Sequence, residues 1–282
     1  MSIRIVTDST AYIPTDLQQK YQISVISLNI ISNGISEREV EVDLVQFYDS
    51  LAQLDKIPTS SQPIPNEMMN TFETLVDEGH EVLGIFLSSE MSGTFSSANM
   101  IRRLILEKTP DAKIELIDSQ TNCMQMGFIA LEAAKAAQKG ATLDEVLKIA
   151  DQIKTNSRFL FTPQTLDYLK KGGRIGGASA LLGNLFQIKP ILTVADGKTT
   201  VYTKVRTKKK AIEAFIKILK EDLDNHVLGD LMVHHINCEN EGVALAQQLE
   251  QELKIPIRIQ SIGPVIGAHV GPGSIGIAYY VK

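Results

Sequence analysis

The 282-residue chain is 44% hydrophobic and 22% charged, with a net charge of -5. That supplies apolar material for one large or two ordinary cores and argues against disorder. No apolar run reaches the roughly 18 residues of a membrane span. With no signal peptide ahead of a first strand at Ile3, and with Cys123 and Cys238 forming neither a disulfide framework nor a metal motif, we expect a soluble cytoplasmic protein.

The first element is "IRIVTD" (3–8), a buried strand that runs into a polar loop. "SVISLNI" (24–30) reads as a second strand and "REVEV" (38–42) as an exposed edge, because its apolar and polar residues alternate. Asp43 is placed to cap a helix over 44–54, with Leu44, Phe47, Tyr48 and Leu51 on one face. "IPTSSQPIP" (57–65) holds three prolines, which exclude helix and central strand. Asn66 is expected to start a helix to about Glu78. "EVLGIFLS" (81–88) is nearly continuous in apolar residues, as a parallel strand covered on both faces should be. A helix from near Ser92 to Lys108, the strand "KIELID" (113–118) and an alanine-rich helix ending at Gly140 follow. Thr142 with Glu145 makes a capping box for a helix over 143–155.

From Arg158 the rhythm changes. "RFLFTP" (158–163) is a strand, and "QTLDYLKKGG" (164–173) is a helix stopped by glycine. "IKPILTV" and "TTVYTKV" flank "ADGK", which predicts a hairpin with an Asp-Gly turn. Thr207 caps a helix to about Asp222, "LGDLMVHHI" and "IRIQSI" flank a helix over 240–254, and "SIGIAYYV" closes the chain. The fold class expected is α/β in two domains. Residues 1–156 would form a Rossmann-like parallel-sheet domain, and 157–282 an α/β domain with an α+β character. Charge divides in the same way: 12 Lys+Arg against 22 Asp+Glu before residue 157, and 16 against 11 after it. The basic excess sits in 158–210, which is either a solvated face or a docking surface for an acidic partner or nucleic acid.

Three stretches carry chemistry. "LSSEMSGTFSSA" (87–98) crowds hydroxyls around Gly93 where a strand gives way to a helix. The first free amides of that helix and its dipole would favour an anion, and Gly93 would let it come close. Ser92 is equally a good N-cap that needs no ligand. "TSSQP" (59–63) is a second hydroxyl cluster held between prolines. "IGPVIGAHVGPGSIG" (262–276) sets His269 among five glycines and apolar residues. Little bulk is left to bury it, so it should project towards something, able to donate a hydrogen bond or carry charge near neutrality. No GxSxG elbow, no GxxxxGK[ST] loop and no clustered Cys/His pattern is present. His234-His235 is a weak metal candidate.

Five segments in register resemble one family. They are "IVTDSTAYIP" (5–14), "TSSQP" (59–63), "SSEMSGTFSSA" (88–98), "DYLKKGGRIGGASALLGNLFQIKPIL" (167–192) and "GAHVGPGSIG" (267–276). They resemble the DegV family, the fatty-acid-binding proteins also called FakB. The resemblance implies the DegV fold, no cofactor and no catalytic residue. It implies one long-chain fatty acid of the palmitate or oleate class, with its carboxylate held by hydroxyls and its tail buried. The protein would be a carrier that presents the acid to a separate ATP-dependent fatty acid kinase, which makes an acyl phosphate for phospholipid synthesis. Transient contact with a membrane surface is compatible with that role, and no nucleic acid is expected. Ser92 and its neighbours Gly93 and Thr94 match the family's carboxylate-binding SGT motif. The usual threonine of TSQP falls at Ser60, with Thr59 offering a second hydroxyl beside it. His269 matches the histidine near the head group. Arg174 matches a position implicated in docking the kinase, with Lys170, Lys171 and Arg206 as neighbours on that face. Cys123 stands where the family usually has serine. Candidates for the tail pocket are Met91, Phe95, Met124, Met126, Phe128, Leu181, Leu185, Phe186 and Ile266, any of which would serve equally as plain core. Two other readings remain: an esterase using an SGT-loop serine, for which only His269 offers a base, and a nucleic-acid binder using the 158–210 run, which lacks interleaved aromatics.

Overall fold

The structure is a computed structural model that describes residues 2–51, 54, 56–182 and 188–282. The candidates Leu185 and Phe186 lie outside the described residues. The first half runs β1 (Ile3–Asp8), α1 (Thr15–Tyr21), β2 (Ser24–Ile26), β3 (Asn29–Ser32), β4 (Ile35–Arg38), α2 (Leu44–Leu51), β5 (Thr59–Ser61), α3 (Pro65–Asp77), β6 (Glu81–Phe86), α4 (Thr94–Lys108), β7 (Ile114–Asp118), α5 (Cys123–Gln138) and α6 (Leu143–Asn156). The second half runs β8 (Ser157–Thr162), α7 (Asp167–Lys171), β9 (Lys189–Ala195), β10 (Lys198–Val205), α8 (Lys208–Leu223), β11 (Leu228–Ile236), α9 (Glu239–Leu253), β12 (Arg258–Ser261), α10 (Pro264–Val270) and β13 (Ser274–Val281). Among the described residues no helix is long and apolar enough to cross a membrane.

The strands make three sheets, and each sheet draws on one half of the chain. The order β2-β1-β6-β7 is wholly parallel, in keeping with the nearly continuous apolar run of β6, since helices cover both faces. The chain leaves β1 towards β2 on one side and returns to β6 on the other. That reversal opens a crevice at the carboxyl ends of β1 and β6, where open α/β sheets place ligands. A small antiparallel sheet, β4-β3-β5, carries the TSSQP hydroxyls on its edge. The third sheet, β10-β9-β8-β13-β11-β12, is antiparallel except for its last pair. Its β9–β10 hairpin turns through Asp196 and Gly197, both at positive φ, the geometry an Asp-Gly turn accommodates. The capping box of Thr142 and Glu145 is formed.

Several elements differ from expectation for identifiable reasons. The strand expected over 24–30 is two strands in different sheets, because the chain breaks at Ser27 and Leu28, where the Leu28 amide donates to Ser9 Oγ. The edge expected over 38–42 ends at Arg38 and gives way to a tight turn, Glu39–Glu41, whose first residue is 4% exposed. α3 begins at Pro65 rather than after Asn66, since proline suits the first helical position. α4 begins at Thr94, with Gly93 rather than Ser92 in the N-cap place. The glycine-rich stretch over 262–276 contains a helix, α10, that its composition concealed.

The largest apolar cluster joins the two halves. α5 packs between β1 and β13, and the rings of Phe128 and Tyr280 lie 5.4 Å apart. α10, from the second half, sits against α2, β3 and β5 of the first. The walls of any cavity between the sheets are therefore supplied by both halves of the sequence.

Candidate functional site

A cavity of about 320 Å³ lies at this junction, at the small end of ordinary ligand sites. The parallel sheet contributes the loops beyond its carboxyl ends, through Leu28, Leu87, Met91, Ser92, Gly93 and Asn122. β5 contributes Ser60, Ser61 and Gln62, and the third sheet contributes Phe159, Phe161, Val194, His234 and Ile236. α10 supplies Val265, Ile266, His269 and Val270. Hydroxyl, amide and imidazole groups gather at one end, and the remaining wall is mostly apolar.

At the polar end, Ser60 Oγ lies 2.9 Å from His269 Nε2. Among the described residues Nδ1 of that ring has no hydrogen-bond partner, and it packs on Gly172, where a Cβ would collide with it. Burial, reinforced by the positive charge of Arg174, lowers the His269 pKa to about 4, so the ring is neutral near pH 7. A proton on Nδ1 would be an orphaned donor. The less costly tautomer carries it on Nε2 and donates to Ser60. The Ser60 hydroxyl proton is then left to donate into the cavity. Of the two roles expected for His269, donating a hydrogen bond or carrying charge, burial favours the first: a neutral ring orients the Ser60 hydroxyl.

Ser92 faces the same space. Its Oγ lies 2.9 Å from Thr94 Oγ1 and accepts from the Thr94 amide at 3.3 Å. Gly93 has no side chain for a tertiary reason, since a Cβ would sit 2.9 Å from Gln62 Oε1. Ser97 Oγ donates to that oxygen at 2.6 Å, fastening the first turn of α4 to the end of β5. Thr94 is fully buried and meets Ser92 rather than the cavity, and Thr59 is exposed on the outer side of β5. Of the adjacent pair, Ser60 faces inward and Thr59 does not.

Arg174 also lines the cavity while remaining exposed; its Nε donates to Met91 O at 3.2 Å and its Nη1 to Gly172 O at 2.9 Å. Lys170, Lys171 and Arg206 are exposed and stand outside the cavity wall. Among the tail candidates, Met91 and Ile266 line the space. Met124, Met126, Phe128 and Leu181 are buried in the shared core away from it, and Phe95 packs against a separate cluster between the parallel sheet and α3 and α4. The aromatic wall comes instead from Phe159 and Phe161, two apart on β8 and so on one face. The alternation was readable, but only the tertiary fold says which face meets the cavity.

Two buried acids that sequence reasoning passed over hold the frame. Asp8, at the end of β1, accepts from the Leu87 amide at 2.8 Å and the Thr10 amide at 3.0 Å, and burial raises its pKa to about 6. Glu39 accepts from the Tyr12 hydroxyl at 2.6 Å, the Val265 amide at 2.9 Å and the Ser9 hydroxyl, and burial raises its pKa to about 7. The Tyr48 hydroxyl donates to Ile262 O at 2.7 Å. A Cβ on Gly263 would lie 2.7 Å from Glu39 Oε1, and one on Gly267 would collide with the Tyr48 hydroxyl. The glycines of "IGPVIGAH" thus let α10 dock on Glu39, Tyr12 and Tyr48. Nothing in the sequence distinguishes Glu39 from Glu37 or Glu41.

His234 is not a metal ligand candidate in this fold. Its Nε2 accepts from the Met124 amide at 3.1 Å and its Nδ1 donates to Gln260 O at 3.0 Å, so both nitrogens are engaged. Among the described residues no three His, Cys, Asp or Glu side chains converge. An esterase reading fares no better. His269 is a weak base at a pKa of about 4, and among the described residues no carboxylate orients its Nδ1.

A family model described as "Uncharacterised protein, DegV family" matches residues 2–282. The chain belongs to the DegV family. It is 48% identical, over 100% of its own length and 99% of the relative's, to a DegV domain-containing protein of Clostridium acetobutylicum. It superposes with a TM-score of 0.92 and 28% identity, over 100% of both chains, on a DegV-family protein from Thermus thermophilus described by its fatty acid binding. A protein from Eubacterium ventriosum described as stearic acid-binding gives a TM-score of 0.89 at 25% identity, covering 99% of this chain and 98% of that one. The DegV cavity here brings Ser60, Ser92 and His269 to one end from three separate segments of the sequence.

Proposed function

We propose that this DegV-family protein binds one long-chain fatty acid in the cavity, its carboxylate at the Ser60–Ser92 end and its tail along the apolar wall. The observation that carries the reading is the pairing of an apolar space with neutral donors. A hydroxyl freed by a neutral His269 and a second hydroxyl at Ser92 face one end of a wall built from Phe159, Phe161, Ile236, Val265 and Ile266. The fatty-acid ligands of the Thermus and Eubacterium relatives support it. The tail supplies the affinity. About 16 carbons at about 0.8 kcal/mol per CH₂ bring roughly 12 kcal/mol before costs, and ordering and association take back several of these. Tight binding then needs no salt bridge at the head, and hydroxyls orient the carboxylate while leaving an oxygen open.

We further propose that the protein acts in the cytoplasm as a carrier for a separate ATP-dependent kinase that makes the acyl phosphate for phospholipid synthesis. Lys170, Lys171, Arg206 and the outer face of Arg174 would form the docking face. Because Arg174 also lines the cavity, the docking test belongs to the lysines. Charge reversal at Lys170 and Lys171 should weaken acyl-phosphate formation and leave lipid affinity alone; equal loss of both would refute the division. The binding claim is tested by native mass spectrometry of the delipidated protein incubated with palmitate or oleate. One fatty-acid adduct per chain supports it, and no adduct with either overturns it.

A further inference from the structure

The third sheet gives the cavity a floor whose rungs can be counted along β13. Ser274 stands opposite Ile236, Gly276 lies between Phe161 and His234, and Ala278 lies between Phe159 and Met232. These residues share one face, because side chains alternate along each strand. The first two rungs line the cavity; of the third, only Phe159 does. One rung further on, Tyr280 packs against Phe128, so α5 covers the floor from there. Exposure falls in the same direction, from 6% at Phe161 to 3% at Phe159 and 0% at Ala278.

The first rung adjoins the polar end. Ser274 Oγ donates to Gly271 O at 2.7 Å, just past the helix that carries His269. Phe159 therefore stands at the far end of the floor, about 14 Å along β13 from the Ser274 rung. Between the two ends the middle rung forms a trough, because Gly276 has no side chain and Phe161 and His234 flank it. Phe159 closes that trough. Its ring is stacked 5.0 Å from Phe161 and meets the His234 ring edge to face at 5.8 Å. His234 is fully buried and held at both nitrogens by backbone groups, so the ring that backs Phe159 is fixed. A close-packed wall of this kind does not yield to one more methylene without strain.

We propose that Phe159 is the end stop of the cavity and sets the longest straight acyl chain the protein accepts, with the terminal methyl of the ligand resting against its ring. This rests on the fatty-acid reading above and specifies the ligand class of the same site, by chain length.

The test uses the full-length protein, delipidated, and compares affinities for saturated straight-chain acids of even length from decanoate to arachidate. Affinity should climb about fourfold per methylene, then break and fall once the methyl has reached Phe159. Phe159→Ala removes the ring and should move the break to longer acids, raising the ratio of arachidate to decanoate affinity at least tenfold. Phe159→Leu should move it the same way by a smaller step, and serves where the alanine variant does not fold. A purely structural role would weaken every length by the same factor and leave the break where it was, and that result overturns the proposal. A ladder that climbs without a break to arachidate in the unmodified protein also overturns it, while leaving the fatty-acid reading standing. Binding of none of the acids would bring down the fatty-acid reading and this proposal with it.

Discussion

The cavity wall holds two histidines, and burial keeps both neutral, each lowered to about 4. His234, on β11, is satisfied at both nitrogens by backbone groups of α5 and β12. His269, on α10, touches one serine hydroxyl and leaves its other nitrogen open. The difference separates a residue that builds the wall from one that tunes what the wall presents. A fully paired buried histidine holds elements together, while a half-paired one next to a hydroxyl sets where that hydroxyl's proton points.

The largest effect should come from breaking the paired histidine. His234→Leu orphans the Met124 amide and Gln260 carbonyl and should cost about 2–4 kcal/mol in urea unfolding. His269→Leu should cost less than about 1 kcal/mol yet weaken palmitate binding, because Ser60 loses its orienting partner. Equal destabilisation by the two would erase the distinction. Next is the seat of the helix that carries His269: Gly267→Ala drives a methyl into the Tyr48 hydroxyl and should cost about 1–3 kcal/mol, read by the same unfolding curves.

Much of this arrangement was legible in the sequence, and the rest was hidden for stated reasons. The parallel sheet was visible because strands alternate with helices and β6 is nearly continuous in apolar residues, and the hairpin because Asp196-Gly197 suits a tight turn. Ser60, Ser92 and His269 stood out as hydroxyls and an imidazole among glycines and prolines. α10 was invisible because glycine ordinarily argues against helix. Its glycines answer to Glu39 and Tyr48, which are more than 200 residues away in sequence. α5 could not reveal which residues face a ligand, because it is buried almost all round. Met124, Met126 and Phe128 proved to be core, whereas the wall came from β8 and β11.

Smaller effects sharpen the head-end picture. Ser60→Ala and Ser92→Ala should each lower palmitate affinity about tenfold, as loss of a hydrogen bond to a charged group does, with unfolding midpoints almost unchanged. Loss at only one of them would assign the carboxylate to that hydroxyl alone. A separate effect concerns pH. Glu39 is raised from 4.5 to about 7 by burial, so the folded state holds its proton more tightly than the unfolded one. Its contribution to stability is fully present below pH 4.5 and is lost as pH rises towards 7. Asp8, raised from 3.8 to about 6, acts in the same sense. His234 and His269, lowered from 6.5 to about 4, act in the opposite sense between those values. A comparison with Glu39→Gln isolates one group. The variant should gain about 2–3 kcal/mol relative to the unmodified protein between pH 5 and pH 8. A pH-independent difference would mean that Glu39 keeps its charge throughout.

The central claim is that a fatty-acid carboxylate meets neutral hydroxyls at one end of this cavity. A crystal structure with bound palmitate tests it most directly. The account predicts carboxylate oxygens within hydrogen-bond distance of Ser60 Oγ and Ser92 Oγ, with the tail against Phe159, Phe161 and Ile236. A carboxylate resting at the opposite end, or held by a cation in place of those hydroxyls, would contradict it.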